Sequence, residues 1–355
     1  MRIERWDDGD DAAVRNCLDV WQAVQRADDP IGPPKSAQVM RGWLKLGFQG
    51  HPGEVWLVPG GPGSPDGLGS ESAIDAWYRI GLPERENLTA ASLTILVRPS
   101  ARRRGIATEL LRHAAGRAAA NGRTLLSGEV REDSGGEAFA ERFKATRGLT
   151  EVRRILQLDT LPPGQLRKLR DEALPKAAGY TLVSWAGVTP DEYVDRVAKT
   201  HEAMNDAPHD PGYEPRAWDG DRVREMDARG LTYGMRVYSV AAVHDTTGDV
   251  AALTQAFVDP ESPEWGHQGL TAVTRAHRGH RLGLLVKIEM MEWLAEAEPR
   301  VRKIDTGNAA ANKHMIAVNE ALGYRVYGQG WVSYELPVSA AAQVDEVAQV
   351  SEGEP

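Results

Sequence analysis

The sequence predicts an α/β protein, α+β in its detail, in which one sheet flanked by helices is built twice. Three observations carry this. The chain has 355 residues, which at roughly 150 residues per domain suggests about two domains. Residues 92–122, SLTILVRPSARRRGIATELLRHAAGRAAANG, and 269–299, GLTAVTRAHRGHRLGLLVKIEMMEWLAEAEP, align when Arg102 is laid on Arg278, an offset of 176. Thr94 then meets Leu270, Val97 meets Val273 and Ala107 meets Gly283. Leu149 of ATRGL and Tyr324 of EALGY stand 175 apart, and a spacing held over about 50 residues points to duplication rather than one chance Arg/Gly match. Third, strands and helices follow in the same order in both halves.

In the first half, residues 3–6 read as a short strand. Asp10 and Asp11 precede an amphipathic helix over 12–27, with Val14, Cys17, Leu18 and Trp21 at helical spacing. Residues 37–46 form a second helix and 55–58 a strand. The Gly/Pro/Ser-rich stretch 59–73 is a hairpin loop. Strands follow at 77–82 and 91–97, then a turn over 98–104. An Ala- and Leu-rich helix over 105–120 stops at Asn121-Gly122. A strand at 125–130, a helix at 137–147 closed by Gly148 and a strand at 153–158 complete the half.

Residues 161–179 carry Pro and Gly at both ends around a short basic helix, and read as a connector. The second half then runs as a strand at 182–185, a helix at 191–204 and a strand at 237–244. A hairpin turn at 246–249 leads to strands at 250–258 and 268–273. A helix at 283–297, a strand at 303–306, a helix at 311–322 ended by Gly323 and a strand at 330–336 finish it. The domains are thus expected at 1–160 and 180–337, with residues 338–355 a disordered acidic tail.

Composition narrows the function classes. A net charge of −9 is a poor basis for nonspecific nucleic-acid binding or for attraction to an anionic membrane. The single cysteine, Cys17, excludes an intrachain disulfide and a thiolate metal cluster. No stretch is apolar enough to span a bilayer, and the N-terminus MRIERWDDGD lacks an apolar signal core. The expectation is a cytoplasmic protein, monomer or homodimer, with no nucleic-acid and no membrane partner.

The chemistry is carried by a strand, an Arg-containing turn and a helix. The turns are Arg102-Arg103-Arg104-Gly105-Ile106-Ala107 and Arg278-Gly279-His280-Arg281-Leu282-Gly283. Backbone N–H groups converge in such a turn, the helix adds its positive end, and small residues let a pyrophosphate approach. Arginines add charge-assisted hydrogen bonds. For one copy alone, an ordinary turn with a solvated basic face is an equally open reading. His277 and His280 form a pair without a third ligand, so no metal site is expected.

This arrangement resembles the acyl-CoA loop of the GNAT superfamily of N-acetyltransferases, Gln/Arg-x-x-Gly-x-Gly/Ala. Arg102, Gly105 and Ala107 match fully. Arg278 and Gly283 match, with Arg281 where the middle glycine is expected. Residues 305–328, DTGNAAANKHMIAVNEALGYRVYG, are similar to the fifth strand and fourth helix of that family. The resemblance covers roughly 1–160 and 180–337 and is nearest to tandem-domain members of high-GC bacteria, the group that includes mycothiol synthase. It implies two GNAT domains, each a mixed, mostly antiparallel sheet flanked by helices, with splayed fourth and fifth strands.

The resemblance implies acetyl-CoA as cosubstrate and a small-molecule amine as acceptor, attacked directly. In the second domain the implied cofactor residues are Val273, Arg275, Arg278, Gly279, His280, Arg281, Gly283, Leu284, Asn308 and Asn312. In the first they are Leu96, Val97, Arg102, Arg103, Arg104, Gly105, Ala107 and Thr108. A backbone N–H near Val97 or Val273 would face the thioester carbonyl. The tyrosine that the family often places four residues before the glycine ending the fourth helix is replaced by Asn319 in the second half and by Lys144 in the first. On the thiol side Asn319 could only hydrogen-bond the sulfur, and Tyr324 and His314 are the nearby acids, with a core tyrosine and an exposed helix histidine as the other readings. Glu264 and His267 are the candidate bases, with a surface edge-strand position as the other reading. Asp206 and His209 are candidates to hold a cationic amine, or else a loop cap. The second domain is favoured as catalytic. A non-catalytic acyl-CoA-binding or scaffold protein is the alternative, motivated by the missing tyrosines.

Overall fold

The structure, a computed structural model, describes residues 1–47, 50–60 and 74–343. The loop expected at 59–73 lies outside the described residues from 61 onward, and so does the tail from 344. Two compact units emerge: Met1–Thr150, Asp210–Glu214 and Gln329–Pro355 form one, and Glu151–His209 and Pro215–Gly328 the other.

The first unit holds β1 (Glu4–Arg5), α1 (Asp11–Asp28), α2 (Ala37–Leu46), β2 (Gly53–Pro59), β3 (Ile74–Gly81), β4 (Ala90–Val97), α3 (Ile106–Ala120), β5 (Leu125–Arg131) and α4 (Gly135–Arg142). The Asp10 carboxylate accepts from the Ala13 N–H and so caps α1. Strand β6 (Thr146–Gln157) begins here and enters the second unit at Glu151. The second unit continues with α5 (Gln165–Ala173), β7 (Tyr180–Ala186), α6 (Val194–Glu202), α7 (Gly220–Thr232), β8 (Arg236–His244), β9 (Val250–Val258), β10 (Trp265–Val273), α8 (Leu282–Ala297), β11 (Lys303–Ala309), α9 (Lys313–Leu322) and β12 (Arg325–Val326). β13 (Trp331–Pro337) and α10 (Val338–Ala342) belong to the first unit again.

Within each unit the strand order is the same. The first runs β1-β2-β3-β4-β5-β13 and the second β7-β8-β9-β10-β11-β6, with β12 also on β6. All neighbours are antiparallel except β4 with β5 and β10 with β11. The last strand of each sheet comes from the other half of the chain: β13 pairs with β5 from Trp331↔Arg131 to Pro337↔Leu125, and β6 with β11 from Gln157↔Lys303 to Glu151↔Ala309. Units therefore do not follow the chain halves, which a pattern of local periodicities does not reveal.

Each sheet packs a helix of the repeat. In the first unit, Leu110, Ala114 and Ala118 of α3 share a face and lie in one core with Ala76, Tyr78 and Ile80. In the second, α8 is buried over most of its length and packs against β8 and β9. The basic segment expected as a connector is also core: Leu166, Leu169 and Ala173 of α5 pack there.

Several boundaries differ from expectation. Helix α4 ends at Arg142, and Lys144 takes φ 56° just beyond it. Gly148 is not its cap but lies inside β6, where a Cβ would stand 2.2 Å from Asp210 Oδ1 and 2.4 Å from Ser333 Oγ. Gly148→Val is expected to cost about 2 kcal/mol by overpacking, measured by denaturant unfolding. Residues 338–342 are helix α10 with Val338 and Ala341 in the first core, not tail. Helix α7 was missed because only Val223 and Gly230 of it are buried, too few to mark an apolar stripe. No helix among the described residues is long and apolar enough to cross a membrane.

Candidate active site

The two parallel strand pairs fork. β10 and β11 are in register only at Trp265↔Lys303, Gly266↔Ile304 and His267↔Asp305. β4 and β5 are in register only at Ala90↔Leu125, Ala91↔Leu126 and Ser92↔Ser127. Beyond these triplets the inner strand keeps its antiparallel partner alone, so the edge facing the gap has lost its ladder. In the second unit the fork carries an added irregularity, a register shift between Gln268 and Thr271 that takes Gly269 and Leu270 out of the ladder with β9. β4 pairs with β3 from Ser92 to Val97 without such a break.

Both forks lead into the same turn. Arg102 and Arg278 are extended at φ −66° and −71°. Arg103 and Gly279 then take φ 61° and 90°. Gly105 and Arg281, at φ 79° and 58°, form left-handed N-caps with no side-chain cap. Arg281 thus adopts the conformation of the glycine it replaces, and the turn survives the substitution. The first turns of α3 and α8 are left open to an anion. A Cβ on Gly283 would meet Val273 Cγ2 at 3.4 Å, so a large side chain there would fill the cradle.

The leading arginines have a different task from the one expected. Arg102 Nε donates to Val97 O at 3.3 Å, and its guanidinium grips Asp28, at the end of α1, at 2.9 and 2.6 Å. Arg278 Nε donates to Val273 O at 3.3 Å and its Nη2 to Asp206 at 2.6 Å, with Arg275 on the other Asp206 oxygen at 3.3 Å. Asp206 therefore ties the turn to the end of the α6 segment. Arg103, Arg104 and Arg281 are exposed and, among the described residues, free of ion pairs.

Side-chain alternation sorts the fork of the second unit into two faces. Ile304 and Leu156 lie in the core beneath α8, whereas Ile155 packs with Trp265 and Tyr327 on the opposite face. His267 and Asp305 share that second face. His267 stands opposite Phe257 of β9, on the side where Leu253 packs with Val197 of α6 and Val223 of α7. His267 Nδ1 is 3.0 Å from Asp305 Oδ1, and Arg153 reaches the other oxygen at 3.5 Å. Burial pushes the Asp305 carboxyl up, but the His267 ring and the Arg153 guanidinium outweigh it and hold it below the usual range. A carboxylate on Nδ1 orients the ring. The His267 side chain is 40% exposed, enough to meet a substrate.

On the α8 face stand Lys287, Asn308, Asn319 and Tyr324. Asn319 Nδ2 donates to Asn308 Oδ1 at 2.7 Å. Three of the buried atoms without a partner among the described residues belong here: Asn319 Oδ1, Tyr324 Oη and Gln268 Oε1. Gln268 alternates with His267 and so belongs to this face. Unmet carbonyl oxygens at a fork whose strand edge is also unmet call for a ligand rich in N–H donors. An amide-bearing arm with a pyrophosphate at one end fits that set, which is the chemistry of CoA.

The remaining predicted residues are spread more widely. Glu264 is exposed at the closed end of the pair, where its carbonyl accepts from Arg302 and Lys303. Asn312 caps α9 by accepting from Met315 N–H at 3.2 Å. His209 lies 3.0 Å from Met204 O. His280 contacts Lys176 O and His277 the Tyr180 hydroxyl. Leu96 packs in the core with Trp77, and Leu284 in that of α8. Cys17 is buried and its thiol is pushed up by burial, with Asp10 adding to it. Sequence reasoning missed Asp305, Arg153, Gln268 and Lys287. A lysine inside LGLLVKIEMMEWL was a legible signal; the others depend on strand register.

The Acetyltransferase (GNAT) family model matches residues 76–143, which lie in the first unit and include its glycine-bearing turn. Among solved structures the chain is similar to a tandem GNAT protein from the clavulanic acid biosynthesis pathway, at 30% identity and a TM-score of 0.77, over 95% of this chain and 98% of that one. It shares its fold with a GCN5-related N-acetyltransferase from Sphaerobacter thermophilus, at 17% identity and a TM-score of 0.64, over 95% of each chain. It also shares its fold with a GNAT acetyltransferase from Colwellia psychrerythraea, at 10% identity and a TM-score of 0.53, over 95% and 100%. No curated protein matches the chain.

Proposed function

The chain belongs to the GNAT acetyltransferase family, and from that premise we propose that its second unit transfers an acetyl group from acetyl-CoA to a primary amine of a small molecule by direct attack. The observation that carries this reading is the His267–Asp305 pair at the last rung before the fork. The first unit has Ser92 and Ser127 at that rung. By the repeat it also has Leu111 for Lys287. The first unit keeps the glycine consensus of the turn, Arg102, Gly105 and Ala107, which concerns cofactor binding rather than proton transfer.

When bound, acetyl-CoA supplies an activated acetyl thioester. The turn Arg278 to Gly283 and the open start of α8 would hold its pyrophosphate, and Gln268 and Asn319 would accept from the amides of its arm. The open edge of β10 would carry that arm as an added strand. His267 takes the proton from the attacking ammonium, and Asp305 with Arg153 holds the ring for it. Asp206 acts through Arg275 and Arg278 as a positioning residue. The acceptor enters from the α6 and α7 face, and a cationic amine suits the acidic chain. The first unit serves as a CoA-binding or structural partner.

The test is a pair of variants. Gly283→Trp is expected to abolish acetyl-CoA turnover with a panel of amines, and Ala107→Trp to leave most of it. The assignment fails if Ala107→Trp is the dead variant.

A further inference from the structure

Lys287 is a buried charge that the proposed reaction leaves unused. It is 1% exposed on a helix that is otherwise apolar toward the core. Among the described residues no carboxylate pairs with it, and its Nζ lies 5.0 Å from the centroid of the Tyr324 ring. An ammonium buried with only a ring face beside it is expensive to keep. Packing does not require it, since Leu111 fills the same repeat position in the first unit and is also buried.

Most of the carboxylates near α8 are already engaged. Glu289 and Glu292 pair with Arg170 of α5, and Glu298 with Arg236 of β8, where Tyr238 also donates to it. Asp305 of β11 faces away with His267 of β10 and Arg153 of β6. On α9, Glu320 lies 3.7 Å from Arg154, while Lys313 and His314 stand in its first turn. Tyr324, whose hydroxyl has no partner, is the titratable group in contact with Lys287. The lysine therefore lies against Tyr324, whose hydroxyl is unpartnered, on the α8 side of the fork, and Asn319 stands where the family often has a tyrosine acid.

We propose that Lys287 is the cation that binds the sulfur of CoA as a thiolate in the second unit. This rests on the reading that the second unit holds CoA in its fork. Burial pushes the ammonium down to about 7, so near neutrality the free amine is available. The sulfhydryl S–H bond breaks, its proton forms an N–H bond on Nζ, and an ammonium–thiolate pair results. The pair satisfies a lysine that otherwise lacks an anion and stabilises the leaving group of the transfer.

The full-length protein carrying Ala107→Trp, to block the turn of the first unit, is titrated with CoA and with desulfo-CoA, with and without Lys287→Met. Thiolate is read by its ultraviolet absorbance. A free thiol near pKa 8.5 is only a few per cent ionised at about pH 7, and bound CoA is expected to show roughly tenfold more thiolate. Lys287→Met should return it to the free-thiol curve and erase about tenfold of the preference for CoA over desulfo-CoA. Methionine keeps the length of the side chain and removes the charge, and thermal unfolding verifies the fold. An unchanged thiolate fraction in the bound variant overturns the role of Lys287 and leaves the proposed function standing. Absence of CoA binding in the Ala107→Trp background overturns both.

Discussion

His267→Ala is expected to lower kcat/KM for acetyl transfer by a factor on the order of 10² to 10⁴, the range a positioned general base contributes. The ring is 40% exposed and the strand around it is held by β9 and β11, so the variant should fold normally and bind CoA as before. Asp305→Asn should give a smaller version of the same loss, because an amide cannot hold the imidazolium that forms. It also removes the charge that Arg153 meets at 3.5 Å. If His267→Ala retains wild-type kcat/KM across the pH range, the base lies elsewhere and the fork is only a binding device.

The second large effect is on stability. Lys287 falls from an ordinary 10.5 to about 7 on folding. Between these values the unfolded chain holds a proton that the folded chain has lost, so stability should rise with pH across that window on account of this group. Below about pH 7 the full cost of the buried ammonium is present. Lys287→Met removes it, and the variant should be more stable by on the order of 4 kcal/mol near neutrality, an advantage that fades toward pH 10. Denaturant unfolding of both proteins over that range measures it. Equal slopes with pH would mean that the lysine keeps its proton in the fold. A variant that is more stable but no longer holds CoA as a thiolate is the trade expected of a functional group placed against the demands of packing.

The repeat was legible because the turn that follows each inner strand is a local structure. Arg102, Gly105 and the start of α3, and Arg278, Arg281 and the start of α8, are neighbours in sequence, and their backbone angles follow from local sterics. His267 was legible as a candidate for the same reason, since it stands on a strand that feeds the turn. Glu264, three residues earlier, looked equivalent, but the parallel register puts it at the closed end. Asp206 looked like an acceptor ligand because it sits in a polar loop; the structure spends both its oxygens on Arg275 and Arg278.

By itself, then, the sequence determined the fold of each repeat, the two turns and their phosphate-binding character, and the helices whose apolar faces recur at the right period. Tertiary structure alone decided that each sheet borrows its last strand from the other half, and that Gly148 lies in a strand where Asp210 and Ser333 leave no room for a Cβ. It also brought Asp305 and Arg153 to His267 and buried Lys287 against the ring of Tyr324. These features depend on which strands meet and in what register, and register is set by contacts between residues far apart in the chain, which a local pattern does not encode.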